Sequence, residues 1–260
     1  MRDAPRIRAL NAPVDLATFD EALDRAVALA RDRGKVSRVV AVNPEKAIAA
    51  RSDPFLQAFL DESDLAIPDG VGVVAAARIL QGAKCERVTG VDLATALCEA
   101  SGARDLKLFF YGAKEEVNAL MVEKLRARFP DIQIVGRENG YFPLERSSEL
   151  CARVNASGAD VLFVALGSPK QERWIAEHAK DLRVGLCMGV GGTFDALAGT
   201  VKRAPKAWRA LRLEWLHRLV RQPSRFWRQR RIFLFAVLVL WTKIFGARVS
   251  TAASRRPIDN

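Results

Sequence analysis

"ADVLFVALGSPKQERWI", residues 159–175, holds six apolar residues in a row and then turns polar without warning. A strand with one wet face alternates apolar and polar positions, so an unbroken run implies a strand covered on both sides, the condition of a parallel sheet. The strand expected over 159–167 stops at a glycine, Gly167. Pro169 and the polar residues after it read as the opening of a helix.

The same pattern recurs along the chain. "VSRVVAV" (36–42), "DLAI" (64–67), "LKLFFYG" (106–112), "DIQIVG" (131–136) and "RVGLCMGVG" (183–191) read as further strands. Helical spacing separates them, most clearly at Val117, Leu120, Met121, Lys124, Leu125 and Phe129. An earlier helix carries Leu16, Phe19, Leu23, Ala26, Val27 and Ala30 on one face, with Asp15 as its expected cap and an end near Gly34. Strands alternating with helices predict a Rossmann-like α/β fold, a mostly parallel sheet with helices on both faces. The expected division is a catalytic domain over 1–200 and a basic, amphipathic helical appendage over 201–260.

At 260 residues, half of them hydrophobic, the chain is long enough for one sizeable core plus that appendage. Cys85, Cys98, Cys151 and Cys187 form no CxxC pair and read as buried thiols of a reducing compartment. The opening "MRDAPRIRALNAPVDLATFD" lacks the apolar core of a secretory signal, so a cytoplasmic location is expected. Charge is uneven. Residues 202–231 hold eleven Lys or Arg against one acid, Glu214, and supply nearly all of the net +11. A basic end on a near-neutral body points to an anionic partner.

Ligands of open α/β sheets bind beyond the carboxyl ends of the strands, and the polar motifs gather there. Asn43-Pro44-Glu45-Lys46 follows one strand and Asp69-Gly70-Val71-Gly72 the next. "ENGYFP" (138–143), Gly167 to Glu172 and Gly189 to Asp195 follow others. Each also has a plain reading. Asn43-Pro44 suits a turn and helix start. Ser168 with Gln171 and Glu172 suits a capping box. Asp69 suits an N-cap as well as an acid–base group. Gly70-x-Gly72-x-x-Ala75, with Asp92 some twenty residues on, loosely fits a dinucleotide fingerprint. An earlier strand precedes that loop, however, and Asp92 reads as a helix start, which argues against a nicotinamide oxidoreductase.

Together, "NPEK", "IPDGVGVV", "ERVTGVDL", "GSPKQERWI", "GVGGTFDALAG" and "KRAPKAW…LEWLHRLVRQPSRFWRQ" resemble the WecG/TagA/CpsF glycosyltransferases, in order and in spacing, over residues 36–231. The resemblance implies transfer of a sugar from a UDP-sugar donor to a polyprenyl-diphosphate-linked sugar, with inversion, at the cytoplasmic membrane face during cell-surface polysaccharide synthesis. N-acetylmannosamine in β-1,4 linkage is the donor sugar it favours, with glucose, as in exopolysaccharide assembly, as the alternative. It assigns Asp69 as general base and Arg87 to the catalytic site. It gives the nucleotide and donor to Asn43, Tyr141, Gly167, Gln171, Glu172 and Asp195. Arg218, Arg225 and Arg228 are left for the acceptor diphosphate. The chain departs from the family pattern at Ala41, where similar proteins carry threonine two residues before the asparagine.

Chemistry agrees with those roles. An inverting displacement needs a base for the acceptor proton, and the departing diphosphate needs cations or N–H donors. No DxD motif occurs. The nearest, Glu62-Ser63-Asp64, reads as a loop-to-strand junction, so no metal or other cofactor is expected. In the tail, Arg218, Arg221, Arg225 and Arg228 follow helical spacing, with Pro223 interrupting the path, and Trp208, Leu211, Trp215, Leu216 and Leu219 supply an apolar face. The ten apolar residues 232–241 are too few to span a bilayer. With the arginines they read as an interfacial segment on anionic lipid, making the chain a peripheral membrane protein. An apolar decamer beside a basic helix would be a liability in a nucleic-acid binder, and a simple anionic-surface binding protein would leave the polar rim without a use.

Overall fold

Successive side chains of every central strand enter two different hydrophobic cores, one on each side of the sheet. The computed structural model describes residues 5–200 and 226–245, the latter with side chains from Arg230 onward. A hairpin comes first, β1 (Arg6–Ala9) antiparallel to β2 (Ala12–Asp15). The main sheet comprises β3 (Ser37–Val42), β4 (Leu65–Pro68), β5 (Leu108–Gly112), β6 (Ile134–Glu138), β7 (Val161–Ala165) and β8 (Leu186–Gly189). All six are parallel, in the order β4-β3-β8-β7-β5-β6.

Val40, Val42, Ala66, Tyr111, Leu162, Val164 and Cys187 face one core. That side is closed by the hairpin and by α2 (Pro44–Ala50), α3 (Pro54–Asp61), α4 (Val71–Gln81), α7 (Ser147–Ala156), α8 (Lys170–His178) and a C-terminal helix, α10 (Phe226–Phe245). Val39, Ala41, Ile67, Phe110, Phe163 and Met188 face the other core. There α1 (Phe19–Arg31), α5 (Gly90–Ala100), α6 (Glu115–Arg128) and α9 (Thr193–Ala198) lie over the sheet. This is the Rossmann-like α/β arrangement that the apolar runs imply.

Three local readings change. Asp15 does not cap α1. Thr18 does, accepting from the Glu21 N–H while the Glu21 carboxylate reaches back to the Thr18 N–H. Asp15 instead ends β2 almost completely buried. It accepts from Arg6 Nε and Nη2 at 2.7 and 2.8 Å and from the Ala66 N–H at 2.7 Å, which pins the hairpin to β4. The hairpin itself escapes the sequence reading because its strands are four residues each, too short for a period to declare itself. The sixth strand also begins later than 131, because Ile132 closes a turn onto Phe129 and the Gln133 N–H is taken by Ser101 Oγ.

The 232–241 run belongs to a helix with two apolar faces. Phe235 and Val239 are buried against α2 and α4 in the first core, whereas Phe233, Val237, Trp241, Ile244 and Phe245 are exposed. Among the described residues no helix is long and apolar enough to cross a membrane. Trp208, Leu211, Trp215, Leu216, Arg218, Leu219, Arg221, Pro223, Arg225 and the 200/201 boundary lie at or outside the edge of the described residues. All four cysteines are thiols, but only Cys98, Cys151 and Cys187 are buried as expected, Cys85 being half-buried. Burial pushes Cys98 up to about 12 and Cys151 up to about 11, as expected of inert core thiols.

Replacing Asp15 by alanine strands the buried Ala66 N–H and takes from Arg6 its carboxylate, leaving the guanidinium its bond to the Ser63 carbonyl. Asp15→Ala is expected to lower stability by about 3 kcal/mol, read as a drop in the urea midpoint.

Candidate functional site

Four neighbouring strands, β4, β3, β8 and β7, end side by side, and their loops form one polar rim. Asp69 leaves β4 with its N–H bonded to the Val42 carbonyl at 2.8 Å. The loop carrying Arg87 is drawn to the same place by a hydrogen bond from the Val88 N–H to the Pro68 carbonyl at 3.2 Å. Thr89 caps α5 and Gly90 opens it. A Cβ on Gly90 would lie 3.1 Å from the Ala41 methyl and 3.9 Å from Asp69 Oδ2. The Asp69 carboxylate therefore stands half-buried between the end of β3 and the positive end of α5.

Asp69 is not the cap of α4. Gly70 occupies that position at φ +124°, a backbone conformation that disfavours any side chain. Asn43 does cap its helix, its Oδ1 accepting from the Lys46 N–H at 2.8 Å, with Pro44 in the first helical turn. Pro44 wedges against the Asp69 loop: a Cβ on Gly72 would come within 2.8 Å of its Cγ, and Phe235 of α10 lies on the far side.

The capping box expected at α8 does not form, since Pro169 occupies the cap position without a side-chain bond. Gly167, at φ +78°, instead offers its carbonyl to the Gln171 N–H at 3.0 Å. Gln171 and Glu172 turn inward, 2 % and 1 % exposed. Glu172 Oε1 accepts from Lys46 Nζ at 2.9 Å and from Gln171 Nε2 at 3.1 Å, while Gln171 Oε1 accepts from the Gly191 N–H at 3.0 Å. Burial raises the Glu172 pKa, but the Lys46 charge and these hydrogen bonds outweigh it, and the net shift is downward. Glu172 is ionised at neutral pH.

The remaining expected site residues are not among the members of this hydrogen-bonded cluster. Tyr141 is 73 % exposed beyond β6, at the opposite edge of the sheet from β4. Its loop folds back onto the end of β5, the Gly140 N–H bonding the Ala113 carbonyl at 2.7 Å. Asp195 lies half-buried in the first turn of α9, 3.4 Å from Thr200 Oγ1. Arg228 falls within α10, its side chain outside the description, and Arg218 and Arg225 lie outside the described residues. Asp92 sits in the first turn of α5 bonded to Thr89, not at a strand end, so the dinucleotide reading loses its ribose-binding acid. Glu62-Ser63-Asp64 is at the amino end of β4, on the far rim, where Asp64 accepts from Lys35 and Arg38.

Lys46 is the residue that sequence reasoning missed. No spacing in the sequence points to it, because its partner Glu172 lies 126 residues away.

Ligands of a doubly covered parallel sheet bind beyond the carboxyl ends of its strands, and the half-buried Asp69 carboxylate stands at that rim. The chain belongs to the glycosyl transferase WecG/TagA/CpsF family, whose model matches residues 7–249. It is a glycosyltransferase.

Because Gly72 abuts Pro44, Gly72→Ala pushes on the turn that carries Asn43. Glycosyl transfer is expected to fall roughly 10–100-fold while circular dichroism shows the fold retained.

Proposed function

We propose that the protein is an inverting transferase that moves a hexosyl group from a UDP-sugar to a polyprenyl-diphosphate-linked sugar at the cytoplasmic face of a membrane, in cell-surface polysaccharide synthesis. The observation that carries this reading is the placement of Asp69: a carboxylate half-buried at the strand-end rim, beside the start of α5 and the Arg87 loop.

The chemistry is a single displacement. The acceptor hydroxyl attacks the anomeric carbon from the face opposite the diphosphate, and Asp69 takes its proton. The bond from that carbon to the diphosphate oxygen breaks, and UDP leaves with the electron pair. Arg87 and the N–H groups of the rim loops meet the charge that builds on it. Asn43 and the turn after β8 line the donor side, with Gly167 closing the rim at β7. Asp195 and Tyr141 serve the outer parts of the nucleotide. No metal is needed in this scheme.

The exposed apolar face of α10, with Arg230, Arg231 and Lys243 on the same helix, suits an anionic leaflet. That surface is where a polyprenyl-linked acceptor resides, and Arg218, Arg225 and Arg228 belong to the acceptor diphosphate. N-acetylmannosamine in β-1,4 linkage is the proposed transfer. Ala41, whose methyl group lies against Gly90 beside Asp69, offers no hydroxyl there, so glucose is the alternative donor.

The test presents UDP-N-acetylmannosamine and UDP-glucose to a synthetic lipid-diphosphate-sugar acceptor. Asp69→Asn is expected to keep UDP binding and lower turnover by roughly 10²–10⁴. A variant that turns over within a few-fold of the parent removes Asp69 as the base. In the same assay EDTA is expected to leave most of the activity. Full loss restored by Mg²⁺ assigns the diphosphate to a metal.

A further inference from the structure

Beneath the rim runs a chain of hydrogen bonds that the displacement itself does not call for. From Asn43 Oδ1 it passes to the Lys46 N–H, through the Lys46 side chain to Glu172 Oε1, on to Gln171 Nε2, and from Gln171 Oε1 to the Gly191 N–H. It joins the loops that follow β3, β7 and β8, three adjacent strands. Lys46, Gln171 and Glu172 are 8 %, 2 % and 1 % exposed.

As a stabilising device this arrangement is poor. Removing two charges from water offsets most of their mutual attraction, and well-packed apolar residues do as well. Lys46 stands at the wrong end of a helix for a cation.

What the pair does fix is direction. A carboxamide has two nearly isosteric orientations that exchange a donor for an acceptor. An ionised Glu172 can only accept, so the nitrogen of Gln171 must face it, and the oxygen must face the Gly191 N–H. The fit is close, since a Cβ on Gly189 would lie 2.6 Å from Gln171 Nε2.

We propose that Lys46 and Glu172 are a positioning pair for the donor site. Lys46 holds Glu172 in place and ionised, Glu172 sets the orientation of Gln171, and Gln171 holds the turn at Gly189–Gly192 against the rim beside Asn43. Neither charged group touches substrate. This role rests on the reading of the site as a UDP-sugar transferase, and it separates the donor-binding step from the proton transfer at Asp69.

The experiment uses the full chain with Lys46→Met and Glu172→Gln combined, which removes both charges at near-constant volume and leaves the amide of Gln171 without an imposed direction. Thermal midpoint, hydrogen exchange of the Gly191 N–H, and kcat and KM for the UDP-sugar are measured together. The expected result is a midpoint within about 5 °C of the parent, Gly191 exchange faster by tenfold or more, donor KM raised about tenfold, and kcat within threefold. Retention of both the parental Gly191 exchange and the donor KM makes the pair structural and overturns the proposal. Should the double variant fail to fold, Gln171→Met keeps the ion pair and removes the carboxamide. It should show the same exchange and KM changes, and parental values for it overturn the proposal equally. If the parent transfers no sugar from any UDP-sugar, the functional reading falls, while the Gly191 exchange still decides whether the pair orients the turn.

Discussion

A parallel strand covered on both faces has no place for a polar side chain until it ends. That constraint organises the whole molecule. Along β3, β4, β7 and β8 nearly every side chain enters one of the two cores, so chemistry-bearing groups are displaced to the loops at the carboxyl edge. Asp69 appears one residue after β4 stops and Asn43 one residue after β3 stops. The rim is a consequence of how dry the sheet is.

Helix starts then divide the polar residues between structural and chemical work. Asn43 is spent on its own helix, where its oxygen satisfies an N–H that would otherwise be orphaned. Asp69 is spared the same task because a glycine with positive φ takes the cap position. Glu172 and Gln171, one helix over, are drawn inward by Lys46 and by the turn after β8. Similar sequence motifs thus have three different fates, decided by which neighbour each side chain meets.

The sheet was legible because its signal is long and redundant: apolar runs, each broken by glycine or proline, with helical spacing between them. The rim was legible as a set of loops for the same reason. Individual side chains were not. Whether Asp69 or Gly70 caps α4 turns on the φ of Gly70, which no spacing reveals. The inward turn of Glu172 depends on a lysine 126 residues away. Asp15 shows the opposite failure. An acid before an amphipathic stretch looks like a cap, yet the "TFDE" at 18–21 holds the stronger capping pattern, and Asp15 was needed elsewhere.

That use of Asp15 has a consequence for how the molecule meets copies of itself. β4 is an edge strand, and an edge strand presents backbone donors and acceptors to any passing chain. The Ala66 N–H, at the middle of β4, is already bonded to a carboxylate that a guanidinium holds in place, and the hairpin lies alongside. A carboxylate cannot be continued into a ladder as a carbonyl can. Growth of the sheet by addition of a foreign strand is therefore closed off on this flank, so a chain with so much exposed apolar surface on its last helix does not also carry an open β-edge beside its strand-end rim.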